Sequence, residues 1–582
     1  MTVQSIVENR LIEDASSVWL LETHRKFGYS DGVESERYLQ RVLAGAKDLS
    51  SRSAELESHI KDWPSEYHLT TKRGQLLSGF NFDRGLRVLE VGCGCGAITR
   101  HLGESFDQVV SIEGNLNRAR LARQRTRDLA SVSIVCAPFQ QIRFKQKFDI
   151  VFCIGVYEYS ASFIEGDDPY DAALKYFADM LNPNGIVVIA IENQFGLKYF
   201  SGVSEDHLGV PFEGLEGYHR RPARVRTFGK AELAAKLRRH FPEVRFYYPY
   251  PDYKLPDCVV SSAFLASGRA GELVSQLKSR DYTDAASAQW DETGAALELS
   301  RNGMLEFFAN SFLVIACRGQ LRGVAFDQEA VLYSTSRRPS FRTCTTVVRS
   351  HDGRLIVHKR LRDGGERVER GGLRLTETDA PWIDAQSLQT SVMLNARRLD
   401  CPLSDIFAPC GPWHARLKAD AMTENGVQWL PGEHVDSIWP NAYPRAGECV
   451  LVDREWTWSE RVRLNVVVIR AIYDFLSKIE ATGHCAASLS RRRGRRLITD
   501  IAVTFGAELT SWDFDEFIRL ESQLQWLVFG VDRRRQAVYL RWYLSDRPSL
   551  HAFRRLKRRA SGLATRIRGR LSRLATAWRQ HA

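Results

Sequence analysis

The run Val88-Leu89-Glu90-Val91-Gly92-Cys93-Gly94-Cys95-Gly96-Ala97-Ile98-Thr99 restricts the fold more than any other stretch of this chain. An apolar strand that ends in glycines at alternate positions and then opens a helix belongs to an α/β fold with a buried strand. Glycine tolerates positive φ and lets backbone N–H groups come close to a ligand. The turn therefore reads as a cradle for a nucleotide-like cofactor. Gly92, Gly94 and Ala97 also fit the dinucleotide fingerprint, so the turn by itself leaves NAD and FAD open.

The residues around the turn narrow the choice. Glu90, two residues before the first glycine, would repel a pyrophosphate but can pair with a cationic aminoacyl group, directly or through water. Val109-Val110-Ser111-Ile112-Glu113 reads as a second buried strand, and its terminal acid is placed to accept hydrogen bonds from two ribose hydroxyls. Phe148-Asp149-Ile150-Val151-Phe152-Cys153 is the fourth strand, and Leu181-Asn182-Pro183-Asn184-Gly185 is a turn before a fifth, Ile186 to Ile191. In order and spacing these motifs resemble the class I S-adenosylmethionine (SAM) methyltransferases over roughly residues 60–317. The resemblance implies a Rossmann-like seven-stranded sheet, SAM as cofactor, Gly92, Gly94 and Gly96 close to it, Glu90 near its methionine end and Glu113 on the ribose. The acid often found after the third strand is missing. Cys136-Ala137-Pro138-Phe139 stands there, so adenine contacts fall to backbone and apolar groups of Ala137 and Phe139.

At 582 residues the chain exceeds one core, and 44% hydrophobic with 26% charged residues describe an ordinary globular protein of two or three domains. No apolar run reaches the roughly 18 residues that span a bilayer, and no secretory h-region opens the sequence. The eleven cysteines form no CxxC pair, which suggests a reduced, cytoplasmic setting. Ten of the eleven net positive charges belong to residues 552–582, so the basicity describes a tail and gives a nucleic-acid partner little support.

Residues 1–80 read as a helical lid, with Tyr67 and His68 either lining the site or packing on the sheet. Residues 81–320 read as the methyltransferase domain. After the fifth strand comes an insertion containing Ser204-Glu205-Asp206-His207-Leu208-Gly209, at the end of the sheet where an acceptor binds. Methylation of an oxygen requires a base, unless the acceptor is already anionic. His207 is the candidate, and a loop-fixing histidine is the competing reading.

The second half, residues 331–548, carries a hairpin with Lys359 on an apolar strand, then His434-Val435-Asp436-Ser437-Ile438-Trp439-Pro440-Asn441, and Asp453 twelve residues later. A lysine on phosphates, an aspartate beside an acceptor hydroxyl, and an amide with a carboxylate on Mg²⁺ are the parts of phosphoryl transfer from ATP. This half resembles the α+β protein-kinase-like fold. The resemblance implies Asp436 as base, Asn441 and Asp453 as metal ligands, Lys359 on the phosphates, and ATP with Mg²⁺. The glycine-rich loop is absent, and a degenerate kinase serving as scaffold stays open.

Residues 549–582 form the last segment. On a 3.6-residue period Phe553, Leu556, Ala560, Leu563, Ile567, Leu571, Leu574 and Trp578 share an arc of about 80° that excludes all ten basic residues. This is the pattern of a basic amphipathic helix on an anionic membrane surface. A helix docked on a partner is the alternative. As a whole the chain resembles the bifunctional methyltransferase/kinase proteins that terminate O-antigen chains. That likeness implies a glycan or glycolipid acceptor, glycosyltransferases of glycan assembly as partners, and a place at the inner face of the cytoplasmic membrane. A nucleic-acid methyltransferase is the rival, but Gly155-Val156-Tyr157-Glu158-Tyr159 stands where an amino-methylating N-P-P-Y-like motif would follow the fourth strand.

Overall fold

The computed structural model describes residues 3–23, 28, 30, 32–219, 224–281, 291–320, 322–362, 367–445, 447–479, 486–490 and 494–545. The basic tail, Arg491, Arg492 and Arg493 lie outside the described residues. Two compact units are present: Met1–Val368 with Thr376–Asp384, and Glu369–Leu375 with Ala385–Ala582.

The first unit is built on a sheet of fourteen strands: β1 (Leu11–Glu13), β2 (Trp19–Leu21), β3 (Arg87–Val91), β4 (Gln108–Glu113), β5 (Val132–Cys136), β6 (Phe148–Ile154), β7 (Leu181–Glu192), β8 (Glu243–Tyr250), β9 (Cys258–Ser261), β10 (Ser311–Cys317), β11 (Ala330–Tyr333), β12 (Thr343–Arg349), β13 (Leu355–Leu361) and β14 (Thr378–Pro381). Their order across the sheet is β1-β2-β5-β4-β3-β6-β7-β10-β8-β9-β11-β12-β13-β14. The stretch β5-β4-β3-β6-β7-β10-β8 is the seven-stranded Rossmann-like core. Strands β3 to β7 pair in parallel, and β10 runs antiparallel to both its neighbours.

Apolar residues on the central strands alternate between two clusters. Leu89, Val91, Val151 and Ile189 enter one, and Val88, Ile150, Phe152 and Val188 enter the other. Side chains on a strand point to opposite faces in turn, so a sheet made of such runs must be covered on both sides. The helices that cover it have readable starts. In α1 (Val33–Gly45), α2 (Trp63–Leu69), α3 (Ala97–Ser105), α4 (Leu116–Arg125), α5 (Pro169–Met180) and α6 (Lys230–Arg238), capping is by Asp62 for α2, Asn115 for α4 and Asp168 for α5. Each such cap satisfies backbone N–H groups that the first turn leaves without partners and contributes on the order of 1 kcal/mol.

Two expectations about boundaries change. Residues 1–80 are not helical throughout: β1 and β2 form a hairpin, and β2 extends the sheet by parallel pairing of Trp19 with Val135 and Leu20 with Cys136. Nor does the first unit end near residue 320. The hairpin β12–β13 forms as the sequence suggests, but β11 joins it to β9 through Val331↔Thr346 and Val259↔Val331. Backbone pairing continues past residue 320, so Lys359 on β13 belongs to the first unit.

The second unit is mainly helical. Helices α7 (Cys410–Asp420), α8 (Leu464–Ile479) and α9 (Ser511–Leu524) frame it. In α8, Val466, Val467, Val468 and Ile469 are all fully buried, so this helix is the core of the unit. Two hairpins complete the part that matters here. Between β15 (Met422–Glu424) and β16 (Val427–Leu430), Asn425 and Gly426 both take positive φ, as a two-residue turn of this kind demands. Strands β17 (Ala442–Arg445) and β18 (Glu448–Leu451) form the second. Among the described residues no helix is long and apolar enough to cross a membrane.

Candidate functional site

At the carboxyl ends of β3, β4 and β6 lies a cavity of about 250 Å³. Glu90, Gly92, Gly94, Glu113, Ala137, Phe139 and His207 all border it, together with Trp63, Tyr67, His68 and Arg73 from the N-terminal segment. The glycine turn works as its sequence demands: Gly92, Gly94 and Gly96 have φ of 76°, 57° and 85°. Gly94 N–H donates to Glu113 Oε2 at 2.8 Å, and Asn115 N–H donates to Oε1 at 2.9 Å, so the carboxylate is held in place at the cavity's edge. Gly96 does not border the cavity. It opens α3, and a Cβ there would lie 2.7 Å from Ala122 Cα, so its role is close packing of α3 on α4.

Glu90 is buried and accepts a hydrogen bond from Ser111 Oγ at 2.7 Å. Burial pushes its carboxyl up to about 7, against hydrogen bonds from Ser111 and Thr99. A cationic ligand group beside it would restore the charged form. Ala137 N–H is spent on Glu113 O at 3.0 Å, while Phe139 packs on Tyr176 and Phe177, presenting an apolar wall. Asp149 bonds Arg87 N–H and Asn182 Nδ2 and does not border the cavity, so it holds strands together.

The far side of the same cavity is ionic. His207 Nδ1 donates to Glu205 Oε1 at 2.9 Å, and its Nε2 faces Glu158 at 3.6 Å and Glu192 at 3.7 Å, beyond hydrogen-bond distance. Lys254 Nζ bridges Glu192 Oε1 at 2.7 Å and Asp206 Oδ2 at 2.9 Å, and Lys198 Nζ lies 2.8 Å from Asp206 Oδ2. Four carboxylates thus meet two lysines and a histidine, all almost without exposure. Burial opposes a charged imidazole, but Glu192, Glu158 and Glu205 outweigh it and hold His207 well above its ordinary value. For Asp206 burial is likewise outweighed, by Lys198 and Lys254, and its carboxyl is lowered. Glu158 is raised by burial, and both its oxygens and Glu192 Oε2 have no hydrogen-bond partner.

Glu158 and Glu192 carry no role in the sequence reading. An acid among aromatic residues just past β6, and another ending β7, both fall at the carboxyl edge of the sheet, where ligands of open α/β folds bind. That position was the available signal.

In the second unit Asn441 Nδ2 donates to the backbone carbonyl of Asp436 at 2.9 Å and to its carboxylate at 3.2 Å. Val452 N–H bonds Asn441 O at 2.9 Å, which sets Asp453 one residue past that pairing, with φ of 57°. Arg470 on the buried helix α8 reaches Asp436 Oδ1 at 3.3 Å, Glu521 Oε2 at 2.8 Å and the Val435 carbonyl. Asp436, Asn441 and Asp453 therefore gather at the base of the β17–β18 hairpin, whereas Lys359 lies in the sheet of the other unit.

Residues 89–189 match a family described as a methyltransferase domain. A ubiquinone biosynthesis O-methyltransferase of Bradyrhizobium diazoefficiens is 29% identical over 19% of this chain and 41% of its own length. A dTDP-3-amino-3,6-dideoxy-alpha-D-glucopyranose N,N-dimethyltransferase of Streptomyces fradiae is 27% identical over 24% of this chain and 54% of its own. The chain thus spans about half the length of these curated relatives. The crystal structure of the N-methyltransferase NodS of Bradyrhizobium japonicum in complex with S-adenosyl-L-homocysteine aligns with 28% of this chain and 74% of its own, at 22% identity and a TM-score of 0.20. The glycine turn, the strand order and the family match over residues 89–189 make the first unit a class I SAM-dependent methyltransferase domain.

Proposed function

We propose that this protein is a SAM-dependent O-methyltransferase acting on a bacterial surface polysaccharide of the O-antigen type or on its lipid-linked precursor. One observation carries the O-methylation reading: the cavity also holds Glu158, a fully buried carboxylate whose two oxygens accept no hydrogen bond and which faces His207 at 3.6 Å. A hydroxyl must lose its proton as the methyl group arrives, and a carboxylate kept from other hydrogen bonds is available to take it. Since three carboxylates surround the His207 ring, the proton-accepting role expected of His207 passes to Glu158, with His207 as its orienting neighbour. The methyl group moves from the sulfonium sulfur to the acceptor oxygen, and S-adenosylhomocysteine leaves. A sugar acceptor accords with the relative whose name specifies a dideoxyglucopyranose.

The test is transfer of labelled methyl from SAM to isolated glycan, set against transfer to RNA and to small phenols. Glu158→Gln is expected to lower glycan methylation at least 100-fold, the lower end of what a positioned base contributes, while SAM still binds. Methylation of RNA alone, or full turnover by Glu158→Gln, refutes the proposal.

A second reading applies to the other unit. The meeting of Asp436 and Asn441 at 3.2 Å supports phosphorylation of the same glycan with Mg²⁺ and ATP, Asp436 serving as base and Asn441 with Asp453 as metal ligands; Lys359, in the sheet of the first unit, is left out of this reading. Titration with Mg-ATP that Asp453→Ala abolishes supports it. Absence of binding leaves this unit as a scaffold. The basic segment 549–582 supplies membrane attachment in this scheme, and its deletion is expected to release the protein from anionic vesicles.

A further inference from the structure

We propose that Glu158, Glu192 and His207 form a binding site for a first-row divalent cation, Mn²⁺ or Zn²⁺. One oxygen from each carboxylate and one ring nitrogen lie within 4.8 Å of one another. The three come from separate elements: the turn after β6, the end of β7 and the insertion that follows it. Their convergence is therefore a property of the fold and not of a local acidic run.

The hydrogen-bond geometry points the same way. Glu205 accepts the Nδ1 proton at 2.9 Å and so fixes the ring, leaving Nε2 turned toward Glu158 and Glu192. A carboxylate behind a histidine, orienting the ring for a metal on its far nitrogen, is the usual outer arrangement of a metal site. Separations of 3.6 and 3.7 Å between Nε2 and the two carboxylates are too long for hydrogen bonds, yet they suit atoms sharing a cation at about 2.0–2.2 Å. Glu158 has 0% exposure and two unpartnered oxygens, and Glu192 Oε2 has no partner either, because Lys254 and Tyr253 engage the other oxygen. Mixed imidazole and carboxylate donors favour Mn²⁺ or Zn²⁺ over Ca²⁺ or Mg²⁺. Three protein ligands leave a coordination position for an incoming oxygen.

A role for the cation rests on the methyl-transfer reading; its binding does not. It would hold the acceptor oxygen in line with the sulfonium while the second oxygen of Glu158 takes the hydroxyl proton. The oxygen–methyl bond then forms as the sulfur–methyl bond breaks.

The full chain, stripped with EDTA, is titrated with MnCl₂ under electron paramagnetic resonance, and ZnCl₂ is then added as competitor. The expected result is one saturable Mn²⁺ per chain, ¹⁴N coupling to a histidine, displacement by Zn²⁺, and affinity lowered at least tenfold in Glu158→Gln and Glu192→Gln. SAM titration of the same variants reports their fold. Absence of saturable Mn²⁺ and Zn²⁺ binding by the wild type, or Mn²⁺ without ¹⁴N coupling, overturns the site whether or not the variants fold. Saturable Mn²⁺ with histidine coupling, but without glycan methylation, supports the site and refutes the acceptor instead.

Discussion

Replacing Gly96 by alanine tests the reasoning about the glycine turn where it is strictest. The residue sits at φ 85° and ψ 19°, the left-handed region that costs an L-residue about 1–2 kcal/mol. Its new Cβ would stand 2.7 Å from Ala122 Cα and 3.2 Å from Ala122 O, both backbone atoms of α4 that have no rotamer to yield. Overpacking of this kind adds about 1–3 kcal/mol. The sum is roughly 2–5 kcal/mol, which at tenfold per 1.4 kcal/mol lies between about 30-fold and a few thousand-fold. That loss is divided between weaker SAM binding and a lower Tm. Calorimetric titration with SAM and thermal unfolding measure the two shares. Gly411→Ala is the control: it lies within α7, and a Cβ there has no atom within 4 Å. If Gly96→Ala binds SAM within threefold of wild type and keeps its Tm, the account of the turn is wrong.

Other outcomes follow from the same geometry. Glu90 titrates near 7 when folded and near 4.5 when unfolded, so the folded protein binds more protons in that window and loses stability as pH rises through it, by about 3 kcal/mol in all. Glu113 and Arg73 are the charged groups that face it. A Tm falling from pH 5 to pH 8 in wild type but flat in Glu90→Gln is expected, and parallel profiles would contradict it. In the second unit, Arg470→Ala removes the buried guanidinium that bridges Glu521 and Asp436 and should cost about 3–5 kcal/mol, seen in denaturant unfolding. Asp62→Ala removes the capping box of α2, which carries Tyr67 and His68 over the cavity. A loss of about 1 kcal/mol is expected, with faster SAM release in stopped-flow measurements.

The legible parts of this molecule were those set by short-range patterns. Val88 to Thr99 names a strand, a turn and a helix within a dozen residues, and each residue's neighbours in sequence decide its conformation. Glu113 was readable because it ends an apolar run at the carboxyl edge of the sheet. His207 was named from the insertion that holds it, and it borders the cavity, but its surroundings were not readable. Glu158 precedes it by 49 positions and Glu192 by 15, and no periodicity links them. Long-range pairing also hid the domain boundary. β11 lies beyond the expected boundary at residue 320, yet its hydrogen bonds to β9 are made with a partner some seventy residues earlier.

That pairing bears on how the chain can be shortened. A protein ending at residue 320 would lose β11, β12, β13 and β14, and the outer side of β9 would become a free edge. Cys258, Val259 and Val260 on that strand have 0% exposure in the intact protein. Unpaired, apolar and open to solvent, such an edge recruits strands from other copies. The smallest stretch that keeps this sheet closed to self-association runs through Asp384, so separating the two units by truncation calls for a cut within the second unit's sequence and not near residue 320.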